Sequence, residues 1–171
     1  MKLSREDLEL VCSRYAGRFR EYGYSPKTLG WDKGKQDIRF DILTSQYDGE
    51  GKKFLDIGCG FGDLVTTLNK KCTSFSYYGI DLVPELIETA RQKHQEPHIR
   101  FDVMDFLSNP LEEKFDYGIA SGTFNFKLVN GDNYDFVKEA MNKALEACRD
   151  GIAFDFLSDK VDYRHEHTFH Y

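Results

Sequence analysis

Phe54-Leu55-Asp56-Ile57-Gly58-Cys59-Gly60-Phe61-Gly62-Asp63-Leu64 is the stretch that decides the fold. An apolar run with a β-branched member enters a turn with a glycine at every second position, and Leu64, Val65 and Leu68 then recur as one side of an amphipathic segment. The pattern predicts strand, tight loop and helix. Glycines in such a loop let the chain turn at unusual backbone angles and let a ligand approach backbone N–H groups that a Cβ would hold off. The dinucleotide fingerprint needs a third glycine three residues after the second, where this chain has Asp63. A phosphate-binding P-loop needs a lysine that is absent here. A nucleoside without phosphates suits the loop better.

Phe75-Ser76-Tyr77-Tyr78-Gly79-Ile80 reads as the second strand, and Asp81 stands at its end, 19 residues after Gly62. An acidic residue about 20 residues on accepts hydrogen bonds from ribose hydroxyls. Glycine loop and acid therefore point to the same kind of ligand. With these motifs in view, the chain resembles the class I S-adenosylmethionine-dependent methyltransferases. LDIGCGFGDL looks like their first motif and YYGIDLVPELIETARQ their second, while FDVMDFLS and FDYGIASGTFNF look like the next two, over roughly residues 50 to 157.

The resemblance implies an α/β, Rossmann-like three-layer sandwich with a mainly parallel sheet in the order 3-2-1-4-5, its final strands missing from this chain. It implies S-adenosyl-L-methionine as cofactor and S-adenosyl-L-homocysteine as product. Asp56, Gly58, Cys59, Gly60 and Gly62 would form the cofactor cradle and Asp81 would hold the ribose. Leu82, Asp105 and Phe106 would surround the adenine, with Asp105 accepting from its amino group, and Ala120 would complete the site. In this family an N-terminal segment often folds over cofactor and acceptor, so Trp31, Gln36 and Arg39 are expected to form a lid, with Arg39 forking onto the cofactor's carboxylate. The alternative places Trp31 on the sheet and Arg39 in a surface ion pair. The Asn/Asp-Pro-Pro-Tyr motif of members that methylate base amino groups is absent after the fourth strand. The expected activity is methyl transfer to an unidentified acceptor, a small molecule. The competing readings are a non-catalytic S-adenosylmethionine-binding module and an NAD-dependent oxidoreductase, the second disfavoured by Asp63.

The whole chain has 171 residues, 40% hydrophobic and 15% aromatic, enough for one well-filled core. Three segments are expected: a helical cap over 1–49, the cofactor-binding core over 50–157 and a polar, His-rich tail over 158–171. Twenty-nine acidic against 23 basic residues give a formal charge of −6, and no basic stripe marks a general nucleic-acid surface. No apolar run approaches the ~20 residues of a membrane helix, and Glu6, Asp7 and Glu9 do not suit a targeting peptide. The cytoplasm is the expected compartment. Cys12, Cys59, Cys72 and Cys148 are scattered and are read as reduced thiols.

Along the chain, Ser4-Arg5-Glu6-Asp7 resembles a capping box with Asp in the Glu position, and Leu8, Val11, Cys12, Tyr15, Phe19 and Tyr22 predict a helix over about 4–22. That aromatic stripe is read as core, with a pocket wall as the alternative. Residues 23–34 are rich in turn formers and read as a loop; a second helix from Gln36 ends near Tyr47-Asp48-Gly49. Pro84 opens the helix after Asp81, and His98 to Val103 and Lys114 to Ala120 are the third and fourth strands. Asp132 caps a helix with apolar positions Phe136, Val137, Ala140, Met141, Ala144, Leu145 and Cys148, stopping at Asp150-Gly151, and Ile152 to Leu157 form the fifth strand. That strand would be an apolar edge needing cover. Further strands of a longer protein, a second subunit in a homodimer, and the tail are the candidate covers, in that order. His165, His167 and His170 could suit a metal, but no Cys or upstream His motif joins them, so no metal is expected. Should the acceptor need a base, His165 and His167 are the candidates.

Overall fold

A computed structural model describes residues 2–31 and 35–171; Met1 and Asp32, Lys33 and Gly34, the end of the predicted 23–34 loop, lie outside the described residues. Strands β1 (Lys52–Ile57), β2 (Phe75–Asp81), β3 (Ile99–Val103), β4 (Phe115–Ala120) and β5 (Cys148–Phe154) form one sheet in the order β3-β2-β1-β4-β5. All four pairings are parallel, as strands alternating with helices predict. Helices α1 (Arg5–Tyr22), α2 (Pro26–Leu29), α3 (Gln36–Thr44), α4 (Leu64–Lys71), α5 (Pro84–Lys93) and α6 (Asn133–Ala147) cover it.

The apolar runs of the central strands are continuous because both faces of the sheet are buried. Phe54, Tyr77 and Ile119 point into one core with Phe40 and Leu43 of α3, Leu64, Val65 and Leu68 of α4 and Ile87 of α5. Leu55, Ile57, Tyr78 and Ile80 point into the other, against Phe136, Val137, Ala140 and Ala144 of α6. β1 sits between β2 and β4, so its outgoing connection turns one way and that of β4 the other. A crevice opens where the two diverge, at the carboxyl ends of the strands, the usual place for a ligand in an open α/β sheet.

Three expectations are corrected. The 23–34 stretch contains α2: Ser25 accepts from Lys27 N–H, Pro26 occupies the first turn, and Gly30 closes the helix in the left-handed region at φ 83°. α3 stops at Thr44, well before Tyr47. α6 ends at Ala147 and runs directly into β5, so Cys148 is the first residue of the strand and Leu145 is 54% exposed. A register shift between Phe115 and Tyr117 absorbs the extra residue on β5, which removes the need for a turn at Asp150-Gly151.

The tail does not run alongside β5. It passes the strand's carboxyl end, where Tyr171 N–H donates to Leu157 at 2.8 Å and Asp159 N–H to Tyr171 at 2.9 Å. It then bridges the segment after β4, with an antiparallel Phe126–Thr168 pair and a 2.9 Å bond from Phe169 N–H to Asn125. The rings of Phe169 and Tyr171 meet Tyr134 of α6 edge-on. β5 is the outer strand on that side of the sheet.

Ser4 caps α1 as expected, accepting from Asp7 N–H at 3.0 Å. The carboxylate of Asp7 does not turn back to the cap's backbone. It is 2% exposed and accepts from Val129 N–H at 2.7 Å and Asn130 N–H at 3.3 Å, pinning α1 to the β4–α6 connection. Asp7→Ala should leave these donors unpaired and lower stability by about 1–3 kcal/mol, measured by urea unfolding, with faster hydrogen exchange at Val129. Unchanged stability with the Val129 amide still protected would contradict the clamp.

Candidate functional site

The crevice is walled first by the glycine loop. Gly58 and Cys59 N–H donate to the Ile80 carbonyl at 2.8 and 3.0 Å, tying the loop to the end of β2. Asp81 then holds two segments at once: one carboxylate oxygen accepts from Gly60 N–H at 2.9 Å and the other from Val83 N–H at 3.0 Å. Gly58 has φ 72°, and a Cβ there would stand 2.4 Å from the side chain of Thr123, whose hydroxyl donates to the Ile57 carbonyl at 2.7 Å. Gly60 has φ 56°, and a Cβ there would meet Leu29 of α2 at 3.1 Å. The last residue of the newly found helix thus lies across the glycine loop.

The site is acidic. Asp56 is 3% exposed, accepts the Tyr77 hydroxyl at 2.6 Å, and is pushed up to about 7, chiefly by burial, with the charges of Asp81 and Asp63 adding to it. Burial also raises Asp81, against the opposing pull of the Gly60 and Val83 N–H groups. The Cys59 thiol is raised well above its ordinary value by burial first and then by Asp56 and Asp81, so it stays protonated and unreactive. Asp63 pairs with Lys93 at 2.6 Å, accepts the Tyr24 hydroxyl at 3.0 Å, and is not part of the cleft lining. Its charge is therefore a weaker obstacle to a pyrophosphate than its place in the loop suggests. The two carboxylates of Asp56 and Asp81 are the stronger one.

Of the residues singled out from the sequence, Asp56, Gly58, Cys59, Gly60, Asp81, Leu82, Asp105 and Phe106 line this one cleft, together with Trp31 and Gln36. Gly62 packs instead against Phe101 and His94. Ala120 is fully buried in the second core, and its carbonyl accepts from Asp155 N–H at 3.1 Å. Arg39 does not line the cleft either. It lies over the Trp31 ring at 4.5 Å and pairs with Asp155 at 3.3 Å, while Asp155 accepts from Gly122 N–H at 2.6 Å and the Ser121 hydroxyl at 2.9 Å. Trp31 is thus braced from behind by Arg39. Asp105 caps a turn, accepting from Leu107 N–H at 3.0 Å and the Ser108 hydroxyl at 2.5 Å.

Among the lining residues, Leu29 and Thr123 were not assigned to the site from the sequence, and Val11 and Tyr15 of α1 belong to the stripe read as core with a pocket wall as the alternative. The α1 aromatic stripe was the available signal for Tyr15, but its period does not distinguish a pocket wall from a core. Leu29 was legible only as part of a Ser-Pro-x-x-Leu-Gly pattern that carries its own cap and stop. His165 and His167 lie outside the cleft lining. Among the described residues no group of three or more His, Cys, Asp or Glu is placed to hold a metal ion, and no helix is long and apolar enough to cross a membrane.

Residues 54–158 match the model of the methyltransferase domain family. The chain is 33% identical over 127 residues to a malonyl-[acyl-carrier protein] O-methyltransferase of Acetivibrio thermocellus, an alignment covering 72% of this chain and 41% of that protein. It is 36% identical over 112 residues to a 2-phytyl-1,4-naphtoquinone methyltransferase of Trichormus variabilis, covering 62% and 47%. The chain spans less than half the length of these two relatives. In fold it resembles the magnesium protoporphyrin IX methyltransferase of Synechocystis, solved with bound S-adenosylhomocysteine, at a TM-score of 0.69 and 16% identity over 96% of this chain and 83% of the other.

Asp56 makes the site's stability pH-dependent. Its carboxyl ionises near 3.8 when unfolded and at about 7 when folded. Between those values the native state keeps a proton that the unfolded state gives up, so this group lowers stability as pH rises across the window, and the effect levels off above it. Asp56→Asn keeps an acceptor for Tyr77 and should be more stable than the parent at pH 8, the gain shrinking toward pH 4. A gain of equal size at both ends, measured by urea unfolding, would contradict the assignment.

Proposed function

Because this chain belongs to the methyltransferase domain family, within the class I S-adenosylmethionine-dependent methyltransferases, we propose that its cleft binds S-adenosyl-L-methionine and moves the methyl group to a small-molecule acceptor. One observation carries the reading: Asp81, at the end of β2, is bonded to the glycine loop, and both line the same cleft. The donor set fits the cofactor's groups. Asp81 would take the ribose hydroxyls, Asp105 the adenine amino group, and Leu82 and Phe106 the faces of the base. The loop's backbone and Asp56 would face the amino-acid end, whose ammonium suits an acidic site. Three carboxyl side chains, Asp56, Asp81 and Asp105, and no cation in the lining among the described residues suit this ligand better than a pyrophosphate.

The bound cofactor supplies a methyl group already activated on a sulfonium. What remains for the protein is alignment of the acceptor and exclusion of water, and holding reactants in near-attack geometry can supply on the order of 7–11 kcal/mol. Leu29 over Gly60, Trp31 against Gly122, and Tyr15 form the roof that performs this. α2 is the part of the roof that has to give way as a ligand approaches Gly60. It is four residues long, and Arg18 bonds to its Lys27 and Thr28 carbonyls. Arg39 acts on the roof from outside, by holding Trp31, and not as a contact to the cofactor's carboxylate. The acceptor named for one relative, a naphthoquinone, supports a small acceptor, and that named for the other is a malonyl group carried on an acyl-carrier protein. A cytoplasmic location is in keeping with this reading.

Calorimetric titration with S-adenosylhomocysteine and with NADH tests the ligand class. The first is expected to bind and the second not; the reverse would overturn the proposal. Asp81→Ala removes the ribose acceptor and releases Gly60, so affinity for S-adenosylhomocysteine should fall by about 1–3 kcal/mol, roughly five- to 150-fold. An unchanged affinity would remove Asp81 from the site.

A further inference from the structure

Beyond the roof of the cleft lies a second groove, and Val11 of α1 and Phe126 of the β4–α6 connection line both spaces. Leu10, Leu128 and Val129 give this groove apolar sides, and Arg14 and His167 stand in its wall. Arg14 is half-buried, and among the described residues no carboxylate lies within ion-pair distance of it. Its guanidinium donates to Nε2 of His167 at 2.5 Å. A guanidinium has no lone pair to offer, so that ring nitrogen is the acceptor and the imidazole is neutral, with its proton on Nδ1.

The charges around this pair do not neutralise it. Asp7 lies two turns earlier on α1, and its carboxylate is taken by the Val129 and Asn130 N–H groups. Glu166 is exposed. Arg18 lies one turn on and His165 is ring-stacked on His167 at 5.3 Å; burial and then Arg18 lower Arg14, and burial followed by Arg14, His165 and Arg18 lowers His167. In a chain with a formal charge of −6, the half-buried Arg14 faces the groove with no carboxylate in ion-pair contact among the described residues. Such a group gains from an incoming anion. The planar fork of a guanidinium matches a carboxylate with two parallel hydrogen bonds. With the opposite charges of Lys127 and Glu166 offsetting each other, one guanidinium beside a neutral imidazole balances a single negative charge, which fits a carboxylate better than a phosphate dianion. The apolar sides suit a hydrocarbon body, and Val11 and Phe126 bring that body to the wall of the cleft.

We propose that this groove is the acceptor subsite and that the acceptor is an apolar molecule with one carboxylate, held by Arg14 with His167 beside it. The assignment to the acceptor rests on the reading of the neighbouring cleft as a methyl-transfer site; the carboxylate site does not. Octanoate, benzoate, phenyl phosphate and the neutral octanamide serve as probes, titrated calorimetrically into the 171-residue chain with and without saturating S-adenosylhomocysteine. Octanoate should bind in both conditions, more tightly than octanamide. Arg14→Gln should weaken it at least tenfold and Arg14→Lys less, while S-adenosylhomocysteine affinity stays at the parent value in both variants. Equal binding of octanoate and octanamide, or octanoate affinity unchanged in Arg14→Gln, would overturn the site. Phenyl phosphate binding more tightly than benzoate would overturn the carboxylate assignment, and mutual exclusion of octanoate and S-adenosylhomocysteine would overturn a separate subsite. Failure of S-adenosylhomocysteine to bind, with octanoate binding still dependent on Arg14, would refute the methyl-transfer reading and the acceptor role, and leave a carboxylate site alone.

Discussion

The carboxylate of Asp81 is the constraint on which the rest of the site depends. A charged group at the mouth of a mostly apolar cleft is costly unless something satisfies it. Here the Gly60 and Val83 N–H groups do so, one from each of the loops that follow β1 and β2. That single side chain therefore fixes the glycine loop relative to the neighbouring strand and sets the distance between the two walls. The Ile80 carbonyl, accepting from Gly58 and Cys59, repeats the connection one residue earlier. The cleft is held open by hydrogen bonds that a bare turn between strand and helix would not provide.

Around this frame the chain distributes its covers unequally. The floor is strand ends, with Thr123 packed under Gly58 and the Asp155 carboxylate gathering Ser121 and Gly122. The roof is made of short pieces: α2, Trp31 and the middle of α1. The floor draws on two large cores, whereas Leu29 and Tyr15 pack on a small cluster around Phe61, Val83 and Leu86. Elements with few buried contacts open at lower free energy than the core, so the difference in packing places mobility on the side where a ligand has to enter.

The parallel strands and the glycine loop were legible in the sequence because both rest on local signals, while the sheet order came with the family resemblance. Doubly buried parallel strands read as apolar runs, and Gly58, Gly60 and Asp81 stand at places where backbone geometry demands those residue types. The ends of elements were less legible. α6 runs into β5 without the turn that Asp150-Gly151 suggests, because a bulge opposite Phe115 and Tyr117 takes up the extra residue, and no pattern within the strand announces pairing irregularities. The position of Arg39 was not legible at all. Whether a guanidinium forks onto a ligand or braces a tryptophan depends on which side of Trp31 it emerges, and helical spacing does not carry that information. The groove at Arg14 is of the same kind, since 153 residues separate Arg14 from His167 and only the folded tail brings them together.

The central claim is that the Asp81-braced cleft is the nucleoside-binding site. Backbone amide spectra of the 15N-labelled chain, recorded during titration with S-adenosylhomocysteine, test it most directly. The account predicts that Gly58, Gly60, Leu82, Val83 and Phe106 shift together along one binding curve, with Leu29 and Trp31 following as the roof adjusts, while the amides of β5 and the outer face of α6 stay in place. Saturable binding whose shifts fall outside the glycine loop and the end of β2 would contradict it.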